Sequence, residues 1–119
     1  MNILIVDDDA LTLEAIQYRL KDQGYSVATA EDGVKALEII EKQDLNLIIC
    51  DIMMPNMSGL GLLSLLKQFY FNKIPVILIS SLDKSDIILS SLSLGAQVFI
   101  AKPLNYDELL IRVKKFALN

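Results

Sequence analysis

Polar residues that could act together in chemistry follow four of the most apolar segments of this sequence. They supply three kinds of chemical group that are useful at a reactive centre: carboxylates, a hydroxyl and an ammonium. The residues are Asp7-Asp8-Asp9 after NILIV (2–6), Asp51 after NLIIC (46–50), Ser80-Ser81 after PVILI (75–79), and Lys102-Pro103 after QVFIA (97–101). If the apolar segments are neighbouring parallel strands, these residues meet at one edge of a sheet.

Carboxylates that converge at such an edge repel one another, so they need raised pKa values or a nearby cation. Mg²⁺ suits the site because it takes one or two carboxylates together with water and phosphate oxygens. A lysine and a hydroxyl beside the metal would hold a further anion. This set predicts a phosphoryl site in which Asp51 is a nucleophile that forms an aspartyl-phosphate, while Mg²⁺, Lys102 and Ser80 stabilise the charge on the transferring oxygens.

Taken singly, each of these residues has an ordinary structural interpretation. One acid at a strand end is more often a helix cap than part of a site, and Asp9 is predicted to cap the helix ALTLEAIQYRL. Ser80 or Lys102 alone would indicate little. Cys50 lies in an apolar segment, where it is either a small buried hydrophobic residue or a redox group. The joint pattern of strand ends therefore carries the prediction.

Five apolar segments and five helical stretches alternate along the chain, and the fifth apolar segment, YSVATA (25–30), alternates as an edge strand does. The helical stretches have apolar residues at helical spacing. These sets are Leu13, Ile16 and Leu20; Val34, Ala36, Leu37 and Ile40; Leu62, Leu63 and Leu66; and Leu109, Val113, Phe116 and Ala117. The helix ends are marked by Gly24 and Gly95 as C-terminal caps, by Ser58 or Asn56 before the third helix, and by Asn105 with Glu108 before the last.

This alternation predicts an α/β fold: a flavodoxin-like, doubly wound parallel sheet of five strands with five helices. The strand order 2-1-3-4-5 is expected because strand 2 has the character of an edge. In such a sheet ligands bind where the winding reverses, here between strands 1 and 3. Asp7, Asp8 and Asp51 are predicted to lie at that point.

Composition narrows the function classes. The chain has 119 residues, which predicts one domain over 1–119, and 53% of them are hydrophobic. A net charge of −4 disfavours direct nucleic-acid binding, and the absence of histidine excludes histidine-based catalysis within the chain. One cysteine forms no intrachain disulfide. No apolar segment is long enough to span a membrane, and the start lacks a basic signal-peptide region, so we expect a cytoplasmic protein.

Over its whole length the sequence resembles the receiver domain of two-component response regulators. The resemblance rests on ILIVDDDA, DIMMPNMSG, PVILISS and GAQVFIAKP. It implies that Asp51 is the phosphoacceptor, that Asp8 binds Mg²⁺ directly, and that Asp7 assists through water. The backbone carbonyl of Met53 would be a further metal ligand.

The resemblance also implies a switch. Ser80 would hydrogen-bond the phosphoryl group, Lys102 would contact one of its oxygens, and Phe99 would be an aromatic switch residue. The Lys102–Pro103 peptide bond would be cis. Two departures stand out: the family often has threonine where this chain has Ser80, and tyrosine where it has Phe99, which has no hydroxyl to donate.

The resemblance implies a phosphoacceptor and not an enzyme that turns over an external substrate. The donor would be a sensor histidine kinase or phosphotransfer protein, and the output would be a downstream protein or self-association. Three alternatives remain at this level: a flavin-binding electron carrier, disfavoured by the acids after strand 1; an aspartyl phosphatase, disfavoured by Met53 where a second acid is usual; and a scaffold that is not phosphorylated.

Two further features carry expectations. The stretch DKSDIILSSLSLGA (83–96) is apolar on more than one helical face. It is either a deeply packed helix or an exposed patch that forms, with strand 5 and helix 5, a partner surface. Met53 and Leu82 each follow a site residue by two positions and are apolar, so neither can orient a hydrolytic water. We expect slow self-dephosphorylation.

Overall fold

The fold was analysed in a computed structural model, which describes residues 1–69, 74–82 and 84–117. Strands and helices alternate throughout. The strands are β1 (Asn2–Val6), β2 (Ser26–Ala30), β3 (Leu47–Asp51), β4 (Val76–Ser80) and β5 (Val98–Ala101). The helices are α1 (Ala10–Asp22), α2 (Gly33–Lys42), α3 (Gly59–Phe69), α4 (Ser85–Ser93) and α5 (Tyr106–Ala117).

The five strands form one sheet in the order β2-β1-β3-β4-β5, and every neighbouring pair is parallel. The predicted strand order and the edge position of β2 are therefore confirmed. β1 has the predicted bounds, while each of the other strands begins one residue after its predicted segment. β3 and β4 also extend by one residue, so that Asp51 and Ser80 are the last residues of their strands.

Helices cover both faces of the sheet, which explains the continuous apolar character of β1, β3 and β4. One core lies between the sheet and α1 and α5, and includes Ile5, Ile49 and Ile79. The other lies between the sheet and α2, α3 and α4, and includes Leu4, Cys50 and Leu78. We call these the α1–α5 core and the α2–α4 core. Burial of each such aliphatic side chain stabilises the fold by about 1.5–3 kcal/mol. The two cores therefore fix the positions of the strand ends that carry the site residues.

The buried helix faces agree with the prediction in α1 and α3 and differ in α2 and α5. Leu13, Ile16 and Leu20 are buried in α1, and Leu62, Leu63 and Leu66 in α3. In α2 the buried residues are Gly33, Ala36 and Ile40, and Val34 is 50% exposed, so its assignment to the buried face was wrong. Two positions separate Val34 from Ala36, which turns it toward the opposite side of the helix. In α5, Leu109 and Val113 are buried, Phe116 is partly buried and Ala117 is exposed.

Helix α4 is not deeply packed. Its one buried residue is Ser91, whose hydroxyl donates a hydrogen bond to the carbonyl of Ile87 at 2.8 Å. Leu89 and Leu92 are 64% and 45% exposed, and Ile87 and Ile88 are partly buried. The deeply packed helix is therefore the wrong interpretation of this stretch, and the apolar patch is exposed; that the patch binds a partner remains a prediction. Asp83, with which the stretch begins, lies outside the described residues.

Local signals fix where the helices begin and end. The Asp9 carboxylate accepts from the N–H of Leu11 and caps α1, as predicted. Ser58 caps α3 by accepting from the N–H of Gly61, while Asn56 lies two residues earlier with a φ of 69°. Asn105 accepts from the N–H of Glu108 at the start of α5. Gly24 and Gly95 have φ values of 90° and 102°, as helix-ending glycines do.

The Lys102–Pro103 peptide bond is cis, as predicted. Within 1–69, 74–82 and 84–117, none of the helices has the length and apolar character needed to cross a membrane.

Candidate functional site

The carboxyl ends of β1 and β3 bring two acids together. The strands pair in register, with Val6 opposite Cys50, so Asp7 and Asp51 continue from neighbouring positions. Both acids are buried, whereas Asp8 is exposed at the start of the β1–α1 loop. The three acids therefore lie together at the point where the winding of the sheet reverses, as predicted.

Asp7, Asp8 and Asp51 form the acid cluster. Each offers a carboxylate oxygen, and these three oxygens lie within 4.8 Å of one another. Among the residues that the structure describes, this is the one group of three or more acid, cysteine or histidine side chains with such spacing. Oxygen ligands of this kind suit a hard divalent cation.

Lys102 joins the two buried acids of the cluster. Its Nζ lies 2.7 Å from Asp51 Oδ2 and 3.1 Å from Asp7 Oδ2. Burial lowers the pKa of the Lys102 ammonium, but the hydrogen bonds to Asp51 and Asp7 outweigh that effect and raise it above its ordinary value. The lysine is therefore held in its charged form between the acids.

Backbone N–H groups hold the other oxygen of each buried carboxylate. Met53 N donates to Asp51 Oδ1 at 3.0 Å, and Asp9 N donates to Asp7 Oδ1 at 2.9 Å. The pKa of Asp7 is nevertheless raised, chiefly because burial penalises its charged form and also because Asp51 repels it. With all three acids ionised, three negative charges and one positive charge leave −2 at the cluster.

This donor set meets the requirements of Mg²⁺. It offers carboxylate oxygens only, it carries excess negative charge, and one of its acids, Asp8, is exposed to water. The predicted division of roles, with Asp8 and Asp51 as direct ligands and Asp7 acting through water, remains a prediction. The predicted role of the Met53 carbonyl remains a prediction.

Ser80 is buried at the end of β4 but is not joined to the acid cluster. Its Oγ accepts a hydrogen bond from Leu82 N at 3.0 Å. In the described parts of the chain the Ser80 hydroxyl makes no hydrogen bond to Asp51 or to the Lys102 ammonium; Lys102 is linked to Ser80 through the backbone only, with its N–H donating to the Ser80 carbonyl at 2.8 Å. Its role toward a phosphoryl group therefore remains a prediction.

Phe99 also lies apart from the acid cluster. It pairs in register with Leu78 and packs, partly buried, against the α2–α4 core. Its neighbour Ile100 faces the α1–α5 core. Phe99 thus packs on the side of the sheet covered by α2, α3 and α4, and its role as a switch residue remains a prediction.

An open cleft of about 520 Å³ lies beside the acid cluster. One acid, Asp8, is on its wall, and the rest of the lining is mainly apolar. The lining residues are Asp8, Ile52, Met53, Met54, Pro55, Ser58 and Leu82. Met53 and Leu82 are both exposed in this cleft. They are the two apolar residues from which slow self-dephosphorylation was predicted.

Gly59 is a site residue that the sequence analysis missed. A Cβ atom at this position would lie 2.9 Å from both the carbonyl carbon of Asp51 and the Cα of Ile52, and would overlap the Asp51 carbonyl oxygen. Gly59 N also donates to the carbonyl of Ile52. The start of α3 is thus pressed against the backbone that carries Asp51. A glycine after a Pro-Asn turn was visible in the sequence, but its closeness to Asp51 depends on the tertiary fold.

Comparison with known proteins agrees with this geometry. The family model for the response regulator receiver domain matches residues 3–114. The transcriptional regulatory protein DltR of Streptococcus agalactiae is 38% identical over 114 residues, which are 96% of this chain and 50% of DltR. The chain spans about half or less of the length of the curated relatives it matches.

Solved structures give the same result. The receiver domain of the Francisella response regulator 1452 has a TM-score of 0.92 and 33% identity, covering 97% of this chain and 94% of that one. The response regulator TrrA from Thermotoga maritima, solved in complex with Mg²⁺-BeF, has a TM-score of 0.85 and 33% identity, with 97% of each chain covered.

Proposed function

Because this chain belongs to the response regulator receiver domain family, we propose that Asp51 accepts a phosphoryl group from a phosphohistidine on another protein. The observation that carries the proposal is the contact of Asp51 with Lys102 at 2.7 Å inside the acid cluster. A buried carboxylate held by an ammonium and a backbone N–H is oriented for attack and has its charge partly offset. We further propose that residues 1–119 form one receiver domain, which the family match over 3–114 supports.

The transfer uses the chain's own groups in defined roles. A carboxylate oxygen of Asp51 attacks the phosphorus, a P–O bond forms, and the P–N bond to the donor imidazole breaks. The electron pair of that bond goes to the imidazole nitrogen, which takes a proton from solvent. Lys102, released from Asp51 Oδ2, pairs with a phosphoryl oxygen, and the Ser80 hydroxyl donates to another.

Mg²⁺ is the proposed cofactor. Asp8, Asp51 and the carbonyl of Met53 would bind it, with Asp7 acting through water, and the ion would neutralise charge on the phosphoryl oxygens. The Mg²⁺-BeF complex of TrrA, a relative of similar fold, supports this assignment. With all three acids ionised, the acid cluster and Lys102 together carry −2, and this charge attracts the ion.

The partners follow from the same chemistry. The 119 residues contain no histidine, so none of them can carry the donor phosphohistidine. The proposed donor is a sensor histidine kinase or a phosphotransfer protein. The output surface is proposed to lie on α4, β5 and α5, where Leu89 and Leu92 are exposed. There the domain would bind a downstream protein or itself. Ser80 and Phe99 would connect phosphorylation to that surface, through the loop after β4.

As a receiver domain, this chain is a phosphoacceptor module. We propose that it catalyses only its own phosphorylation and dephosphorylation, that it contacts no nucleic acid directly, and that it works in the cytoplasm beside its donor. An acidic net charge of −4 supports the second point.

Incubation with acetyl phosphate and Mg²⁺, followed by intact mass spectrometry, tests the central proposal. We expect the wild type to gain one phosphoryl group and Asp51→Asn to gain none. Asp44→Asn, which changes an exposed acid outside the acid cluster, is the matched control and should be modified like the wild type. An unmodified wild type would indicate a scaffold, and a phosphorylated Asp51→Asn would place the acceptor elsewhere.

A further inference from the structure

Met53 differs from the other methionines in its exposure. The chain has four methionines, all within the described residues, and Met53 is 52% exposed while Met1, Met54 and Met57 are partly buried. Thioether oxidation depends on access of the oxidant to sulfur. Exposure alone therefore ranks Met53 first as a target.

Packing covers part of each of the other three methionine side chains, although Met54 also lines the open cleft. Met57 lies directly against Gly33 at the start of α2, so closely that a Cβ on Gly33 would be 2.9 Å from Met57 Sδ. Met54 packs against the α2–α4 core, and Met1 packs against the α1–α5 core. Reagents in solution reach these side chains only in part.

The backbone holds Met53 next to the phosphoacceptor. Its N–H donates to Asp51 Oδ1 at 3.0 Å, and its side chain lines the same cleft as Asp8 and Leu82. A chemical change at the Met53 side chain therefore takes place in the cleft beside the acid cluster.

We propose that Met53 is a methionine oxidation site through which peroxide shortens the lifetime of the phosphoryl group on Asp51. In this step the Met53 sulfur attacks one peroxide oxygen and the O–O bond breaks. A sulfoxide forms, and the second oxygen leaves as water after it takes up a proton. The sulfur is oxidised by two electrons and the peroxide is reduced by two. The effect on lifetime rests on the proposed function of Asp51.

The change in lifetime follows from polarity. Met53 and Leu82 present apolar groups to the cleft, and neither orients a water molecule. The sulfoxide oxygen is a hydrogen-bond acceptor and holds water at the position that the thioether had kept apolar. Water beside an acyl phosphate is the nucleophile that hydrolyses it.

Cys50 does not compete for the oxidant. It is buried in the α2–α4 core, and burial, with the nearby negative charges of Asp51 and Asp7, raises the pKa of its thiol far above neutral pH. The reactive species of a cysteine is the thiolate. Peroxide at neutral pH therefore acts on methionine first.

Peptide mass spectrometry after graded treatment with hydrogen peroxide tests the modification site. We expect Met53 to be oxidised several-fold faster than Met54 and Met57 in the folded protein. Comparable rates at the three positions would overturn the proposal. This measurement involves no phosphorylation, so its outcome is independent of the proposed function.

The effect on lifetime is tested by phosphorylating treated and untreated protein with acetyl phosphate and following the loss of the phosphoryl group by intact mass. Peroxide should accelerate that loss several-fold in the wild type and in Met54→Leu, and leave it unchanged in Met53→Leu. Treatment with a methionine sulfoxide reductase should restore the slow rate. Equal rates before and after oxidation would overturn the proposed regulation. If untreated protein did not accept a phosphoryl group, the proposed function of Asp51 and the effect on lifetime would both be contradicted. The site of oxidation would still be decided by the peptide measurement.

Discussion

Asp7 is a buried charge that the fold tolerates at a cost in stability. Its pKa is raised above the ordinary value of 3.8, mainly by burial, although Asp9 N–H and Lys102 both favour the ionised form. A folded state with a raised pKa binds its proton more tightly than the unfolded state does. The contribution of this group to stability is therefore present below pH 3.8 and is lost as the pH rises through the raised value.

Asp7→Asn should accordingly raise the free energy of unfolding at pH 7 in the absence of divalent cations, by on the order of 1 kcal/mol. The amide keeps an acceptor for Asp9 N–H and removes the buried charge. Urea titrations at pH 7 and at lower pH measure the effect. The gap between variant and wild type should narrow as the pH falls, and a gap that widens would contradict the assigned sign.

Met53 bears on the stability of the phosphoryl group even without oxidation. Its apolar side chain is expected to make self-dephosphorylation slow, and Met53→Asn should lose phosphate faster because an amide can orient water. Intact mass after removal of acetyl phosphate gives the rate. Met53→Leu is the matched control, since it stays apolar. If wild type lost phosphate faster than Met53→Asn, the side chain would have no protective role.

At the scale of elements, the position of Asp51 depends on how closely α3 begins behind β3. Gly59→Ala places a methyl group against the Asp51 and Ile52 backbone, which cannot rotate away. We expect a loss of about 1–3 kcal/mol in the free energy of unfolding and slower phosphorylation, because the strand end must move.

Gly61→Ala is the matched control in the same helix. A Cβ there would meet Ser58 Oγ at 3.4 Å and Met57 Cγ at 3.5 Å, both side-chain atoms. Replacing a helical glycine by alanine gains up to about 1 kcal/mol, so this variant should be as stable as the wild type or more so. Equal losses for both variants in denaturant titrations would mean that the contact with Asp51 is unimportant.

In helix α4, the effect of a substitution on partner binding can be separated from its effect on the free energy of unfolding. Leu89→Ser and Leu92→Ser change exposed side chains and should alter the free energy of unfolding by no more than about 0.5 kcal/mol. Leu66→Ala, in the α2–α4 core, should cost about 2–5 kcal/mol. Both α4 variants should reduce self-association or target binding of the phosphorylated form, measured by analytical ultracentrifugation or titration with the target. A phosphorylated wild type that stays monomeric at high concentration and binds no protein on this face would oppose the proposed surface.

Sequence patterns predicted the strands well because an apolar run bounded by charges has few alternatives in a sheet covered on both faces. The same patterns placed Asp7, Asp8 and Asp51 together, since parallel strands end at one edge. They wrongly predicted that Val34 is buried, and they did not decide whether α4 is packed or exposed. Helical periodicity does not show how much of a helix surface the neighbouring elements cover. The double contact of Lys102 and the approach of Gly59 to Asp51 depend on distances between elements, which no local pattern contains.

At the scale of the whole molecule, the acid cluster predicts that the free energy of unfolding depends on divalent cations. A ligand that binds only the folded state stabilises it by mass action, by about 2.7 kcal/mol at about 100 times its Kd. Mg²⁺ should raise the free energy of unfolding of the wild type in this way. Asp8→Asn should weaken the response, and Asp44→Asn should keep it. Thermal unfolding with Mg²⁺ and with a chelator gives the comparison, and a wild type indifferent to Mg²⁺ would remove the metal from the site.

The positions of the site residues along the chain also determine the order in which the charges of the site are made during synthesis. Asp7 and Asp51 lie at the ends of the paired strands β1 and β3, which are complete when the first half of the chain has been made. Lys102, which offsets both charges, is 95 residues beyond Asp7. Chains are made from the N-terminus, so the acid pair exists before its lysine. Because a domain generally folds as a unit, we expect the two acids to become buried only after Lys102, which offsets their charges, has been made.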